Sequence, residues 1–157
     1  MELYLSAELF CILAHKVIKR LIIFMEKISS HLCLYGDIGV SGNMYGGRLL
    51  FLIDEAAAIY ARKATGESRI VTRRFSAIEF KQPVKVGEIL DFYAEDPVPG
   101  NTSFSFSIVV MVRNCRRFEA SCTFVALNHD GSKKNIDWKH APISSQLQKK
   151  GKEEGIL

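Results

Sequence analysis

The stretch GNMYGGRLLFLIDEAAAIYARKATG, residues 42–66, constrains the fold more than any other. It opens on a glycine turn, continues through apolar positions at helical spacing, and meets Gly66, a C-terminal stop. That predicts a helix of roughly 20 residues, ~30 Å long. Downstream, four runs are rich in β-branched and aromatic residues and read as strands: RIVTRRFSAIEF, EILDFYAED, TSFSFSIVVMVRN and RRFEASCTFVALN. They are separated by Pro83 with Gly87, the turn PVPGN, a turn around Asn114 and Cys115, and NHDG closes the series. Short turns between long strands imply antiparallel neighbours. Upstream, HLCLYGD reads as a short strand ending in a glycine-rich loop. One long helix followed by a mostly antiparallel sheet predicts an α+β layer in which the sheet wraps the helix. A single such layer leaves a sheet edge uncovered, and a dimer that joins two sheets is the expected remedy.

At 157 residues the chain fits one domain with a sizeable core. Cys11, Cys33, Cys115 and Cys122 show no close pairing and no C-x-x-C, so neither a zinc site nor a disulfide framework is indicated, and a reducing cytoplasm fits. The net charge of +4 is modest and the basic residues are dispersed, which favours a small anionic ligand over nucleic acid. The opening MELYLSAELFCILAHKVIKRLIIF is apolar but broken by Glu2, Glu8, His15, Lys16, Lys19 and Arg20. It lacks the pattern of a signal peptide and is too interrupted to span a membrane, so an amphipathic helix is expected, and membrane association is not. These features divide the chain into an N-terminal appendage (1–27), a folded domain (28–131), and a polar tail (132–157) forming a peripheral helix or loose end.

Inside the helix, a wheel places Arg48, Glu55, Arg62 and Lys63 on one arc, a solvated face. Asp54 points elsewhere, among Gly47, Leu50, Phe51, Ala57, Ala58 and Ala61, where a carboxylate is unexpected. It either bonds a loop or a strand arginine, or it is there for chemistry, since burying a carboxylate is costly unless it is satisfied. Asn43 reads first as a helix N-cap. Gly46 and Gly47, however, are poor helix formers, and a pair of them in the first turn suits a close approach to the backbone. The free amides of a helix start can also stabilise an oxyanion. Asn43 and Asp54 stand eleven positions apart, ~16 Å along a helix axis, so they meet at one centre only if two antiparallel helices supply them.

At this point the residues resemble a known family. GNMYGGRLLFLIDEAAAIYARK is similar to the helix motif of the hot-dog fold acyl-CoA thioester hydrolases, both the short bacterial enzymes and the two-domain brain-type hydrolase. RIVTRRFSAIEFKQPVKVGEIL resembles their valine-threonine strand and F-x-x-P-V-x-V-G-[DE] turn, GNTSFSFSIVVMVR their threonine-serine strand, and CTFVALNHDG their closing strand. The four motifs lie in order from about Ile28 to Gly131.

The resemblance implies a hot-dog homodimer, or three such dimers together, hydrolysing acyl-CoA with no metal and no cofactor beyond the coenzyme A of the substrate. It puts Asp54 in the place of the catalytic carboxylate, Asn43 in that of the asparagine facing it, and Gly47 with Gly46 at the helix start that polarises the thioester carbonyl. Thr72, Arg73, Arg74 and Phe75, and then Thr102, Ser103 and Phe104, match strand segments that contact coenzyme A. Ser76 departs from the acidic residue usual there. Arg69, Arg73 and Arg113 are candidate partners for the phosphates. Two rival readings are a hot-dog dehydratase using a histidine and a non-catalytic acyl-CoA sensor. A third is the thioesterase branch with an early D-x-x-G-H-x-N-N loop, faintly echoed by DIGVSGN at Asp37.

Overall fold

The computed structural model describes residues 25–153. Five strands and two helices follow one another as β1 (Met25–Leu32), α1 (Gly46–Thr65), β2 (Ile70–Phe80), β3 (Ile89–Pro99), β4 (Ser103–Val112), β5 (Cys115–Ala126) and α2 (Ser144–Glu153). The strands form one antiparallel sheet in the order β1-β3-β4-β5-β2. The helix α1 lies on one face of this sheet, as the hot-dog reading requires.

Alternation explains the core. Phe104, Phe106, Ile108, Val110 and Val112 on β4, and Phe118, Ala120, Cys122, Phe124 and Ala126 on β5, all point inward. They meet Leu49, Leu52, Ile53, Ala56, Ala57, Tyr60, Ala61 and Ala64 of α1. Tyr60 packs edge-on against Phe106 at 4.8 Å between ring centroids and tilted against Phe104 at 5.8 Å. The helix stops where Gly66 takes φ 75°, a left-handed conformation that glycine adopts without strain, and its amide donates to Arg62 C=O. Between β4 and β5, Arg113 and Asn114 both take positive φ in a two-residue hairpin.

Three details differ from the sequence expectation. The first strand lies mostly ahead of HLCLYGD: β1 starts at Met25, while Tyr35–Asp37 form a single 3₁₀ turn. β1 is an edge strand with Lys and Ser among its residues, so its alternation is weak. The strand β3 continues through PVP, which read as a turn. Among the described residues β1 pairs with β3 only as far as Glu95, so Pro97 and Pro99 lie beyond that pairing while β3 continues beside β4. The polar tail is anchored to the core by Ile136, Ala141 and Ile143, all buried. Trp138 stacks obliquely on Phe104 and donates its Nε1–H to Gly100 C=O at 2.7 Å. The residue 1–24 segment lies outside the described residues.

Candidate active site

Asp54 projects from the middle of α1 into a groove of about 400 Å³ lined by Gly47, Leu50, Phe51, Ile53, Thr72, Phe75 and Ile78. The wheel placed the carboxylate on a mainly apolar face, and this lining is that face joined to β2. Its partner is Thr72, whose Oγ1–H donates to Asp54 Oδ1 at 2.8 Å. Among the described residues neither an arginine nor a loop amide satisfies Asp54, so a purely structural role rests on this one hydroxyl. Both residues are exposed in the protomer.

Asn43 occupies a neighbouring hollow of about 380 Å³ with Ser41, Gly46, Leu49, Phe80, Lys81 and Gln82. It is not the N-cap. Tyr45 holds that position without a side-chain bond. The Asn43 amide makes only a long contact of 3.5 Å to Ser41 Oγ, and its Oδ1 is shielded without a hydrogen-bond partner. A shielded amide oxygen without a partner is uncommon, and it marks Asn43 as a polar group that packing alone does not explain. Asn43 and Asp54 thus sit in separate hollows of one protomer, as the spacing argument requires.

Between the two hollows lies the start of α1. The first intrahelical bond is Leu49 N–H to Tyr45 C=O at 3.0 Å, which leaves the preceding amides of Gly46 and Gly47 ahead of the helical ladder. A Cβ on Gly47 would come within 3.1 Å of the exposed Tyr45 ring, a tight contact to which that ring would have to give way. Gly47 lines the Asp54 groove, yet seven residues separate them, ~10 Å along the axis. One carbonyl cannot touch both within a protomer.

The remaining candidates divide. Thr72 and Phe75 join Asp54. Arg73 and Arg74, with Thr123, border a different hollow of about 380 Å³. A bulge between Thr72 and Arg74 causes this: Thr72 opposes inward Phe124, whereas Arg74 opposes Thr123, whose hydroxyl bonds Ser105 on the outer face. Phe104 is fully buried in the aromatic core. Thr102 and Ser103 lie at the β3–β4 turn, where Ser103 C=O accepts from Gly100 N–H. Phe104 shares a cross-strand row with Phe124 and Thr72, two strands or ~10 Å from the edge.

Other chemistry is held elsewhere. His31 bonds Asp37, His129 bonds Arg69 and His140 bonds Asp137, while none of the three lines the Asp54 groove. Burial pushes the Cys122 thiol up to about 12, which disqualifies it as a nucleophile. Asp37, the aspartate of the rival loop motif, is buried and bonded to Arg48, His31 and the Leu34 amide, so it is not free to attack. The sequence reading missed this cluster, and it missed the donor role of Thr72. Among the described residues no group of three or more acidic, histidine or cysteine side chains is arranged to hold a metal, and no helix is long and apolar enough to cross a membrane.

This fold and these motifs define a class. Residues 41–118 match the model of the thioesterase superfamily. The acyl-CoA thioester hydrolase YciA of Salmonella typhimurium is 31% identical over 115 residues, 68% of this chain and 86% of that protein. Among solved structures, a hexameric hot-dog fold thioesterase of Campylobacter jejuni superposes with a TM-score of 0.65 at 32% identity, covering 73% of this chain and 92% of the other. A hexameric thioesterase from Yersinia pestis gives 0.66 at 29% identity, covering 71% and 94%. The Staphylococcus aureus acyl-CoA hydrolase, solved with butyryl coenzyme A and coenzyme A, gives 0.64 at 26%, covering 83% and 87%. The chain belongs to the acyl-CoA thioester hydrolases of the hot-dog thioesterase superfamily.

Proposed function

We propose that this protein hydrolyses fatty acyl-CoA to a free fatty acid and coenzyme A, with each site shared by two subunits. The observation that carries the reading is Asp54, fixed by the Thr72 hydroxyl in an apolar groove and paired with no cation among the described residues. Water adds to the thioester carbonyl, the C–S bond breaks, and the thiolate leaves with a proton. Asp54 takes the proton from that water, or attacks the carbonyl itself and is released by water in a second step. The Gly47 amide of the facing subunit stabilises negative charge on the carbonyl oxygen, and Asn43 of the same subunit orients the water or the thioester. Leu50, Phe51, Phe75 and Ile78 offer the acyl chain an apolar path. Arg73 and Arg74, and the basic residues Arg69 and Arg113, suit the phosphates of coenzyme A.

The subunits associate through β2 and the adjoining side of α1. Phe51 (59% exposed), Val71 (45%), Ile78 (45%) and Phe80 (50%) form an apolar border along the uncovered edge strand. Three such dimers would give the hexamer described for the Campylobacter and Yersinia proteins. Unpaired Cys33, Cys115 and Cys122 suit a reducing cytoplasm. Release of free thiol from an acyl-CoA panel of graded chain length tests the reading. Turnover that Asp54→Asn abolishes in a folded dimer is expected, and full activity in that variant would sink the mechanism.

A further inference from the structure

Asp37 is the one charged side chain buried among the described residues, and the reaction above does not use it. Its carboxylate is surrounded by donors: Arg48 Nε at 2.8 Å on one oxygen, His31 Nε2 and Leu34 N–H at 2.9 Å on the other. Arg48 is the third residue of α1, so this contact ties the loop before the helix to its first turn. The Asp37 backbone does the same, since its C=O accepts from Tyr45 N–H at 2.8 Å and its N–H donates to Leu34 C=O at 3.0 Å. The loop is therefore pinned at its entry by Leu34 and at its exit by Tyr45 and Arg48. The residues between fold onto themselves through an Ile38–Met44 bridge and a bond from Gly39 N–H to Asn43 C=O at 2.8 Å. A carboxylate beside a helix N-terminus also gains from the helix dipole.

This closed segment carries Asn43 and delivers the chain to the free amides of Gly46 and Gly47. We propose that Asp37 is a positioning residue: by gripping Arg48 and Leu34 it holds Asn43 and the first-turn amides of α1 in the one geometry that meets the thioester. The inference rests on the thioesterase reading above. Elsewhere the contacts of Asp54 come from β2 and α1, so loosening the loop disturbs half of the site and leaves the other half in place. Misplacing reacting groups by about 1 Å costs on the order of 100-fold in rate, while substrate held mainly by the groove and the basic residues still binds.

The test compares Asp37→Asn, Arg48→Gln and the double variant in the full chain. Each single change is expected to lower kcat by about 10- to 100-fold with KM within about twofold, and the double variant is expected to be no slower than Asp37→Asn, because the Arg48–Asp37 ion pair is already lost in either single variant. Amide exchange supplies a readout independent of turnover: Tyr45 and Leu49 amides should lose protection while those of β4 and β5 keep theirs. Should Asp37→Asn fail to fold, Arg48→Gln leaves the carboxylate its other two bonds and reads the same contact. Additive losses in the double variant, or kcat within twofold of wild type in both single variants, overturn the proposal. So does a lowered melting temperature with unchanged kcat per folded site. A wild-type protein that turns over no acyl-CoA overturns the thioesterase reading instead, and unchanged exchange at Tyr45 and Leu49 then counts separately against the Asp37 contact.

Discussion

Replacing Thr72 with valine removes one oxygen and almost no volume, and the structure gives that oxygen a single side-chain partner, Asp54 Oδ1 at 2.8 Å. A hydrogen bond to a charged group is worth about 1.5–3 kcal/mol net, and each 1.36 kcal/mol in a barrier is a tenfold change in rate. If the bond holds Asp54 in its reacting rotamer throughout the chemical step, Thr72→Val lowers kcat by about 10- to 150-fold. The effect on stability should be small, because both groups are exposed in the protomer and water replaces the lost partner. The control is Thr72→Ser, which keeps the hydroxyl and should retain most of the activity. Steady-state release of free thiol from a saturating acyl-CoA gives kcat, and thermal unfolding gives the stability. A valine variant with more than half the wild-type kcat would refute the claim that Thr72 orients Asp54. A serine variant as poor as valine would show that the methyl group, and not the hydroxyl, is what matters.

Three further outcomes are expected. Asn43→Ala and Asp54→Ala proteins should each be inactive, and mixing equal amounts under subunit exchange should restore roughly a quarter of wild-type activity, because half the dimers are mixed and one of their two sites is intact. Phe104→Ala should cost about 3–5 kcal/mol in urea unfolding, since the ring is fully buried against Tyr60, Phe106 and Trp138, whereas a raised KM with unchanged stability would make it a ligand contact instead. The Leu34 amide, with Arg48 and His31, holds the Asp37 carboxyl well below the usual carboxylate range. Its contribution is therefore fully present above the unfolded value of about 3.9 and lost progressively as pH falls towards the much lower folded value, so the melting-temperature gap between wild type and Asp37→Asn should begin to narrow below about pH 4 and shrink further with each step in acidity.

What could be read from the sequence, and what could not, follows from how local each signal is. The helix declared itself because its period and its Gly66 stop lie within one segment, and the same periodicity exposed Asp54 as a carboxylate on an apolar face. The separation of Asn43 from Asp54 needed only the rise of a helix. The Thr72–Asp54 bond was beyond reach, since it depends on where β2 lands against α1, a matter of register across the whole sheet. The split between Phe75 and Arg74 likewise turns on one bulged residue, Arg73. The hold of the tail on the core was hidden because Ile136, Trp138, Ala141 and Ile143 are scattered among polar residues with no period to join them. Asp37 could be read only as a faint echo of the rival loop motif, and its buried cluster could not, because an aspartate in a glycine-rich loop already has an ordinary explanation as a turn former.

These different kinds of signal converge on the same face of the molecule. A base intended for a thioester should lie in a dry, apolar site, where fixed dipoles act more strongly than in water. In the protomer Asp54 is open to solvent, and so are Phe51 and Ile78 beside it. Asn43 Oδ1 has the opposite problem, for it is shielded but lacks a donor. Both anomalies lie beside the edge strand β2 and the start of α1, and the second copy proposed above, placed with its helix antiparallel, would face both. In that proposed arrangement the Asp54 groove of one subunit would be roofed by the other, and the Asn43 hollow would gain a facing surface. On this view the edge strand is left unpaired in the protomer because the surface that completes the fold is also the surface that completes the site.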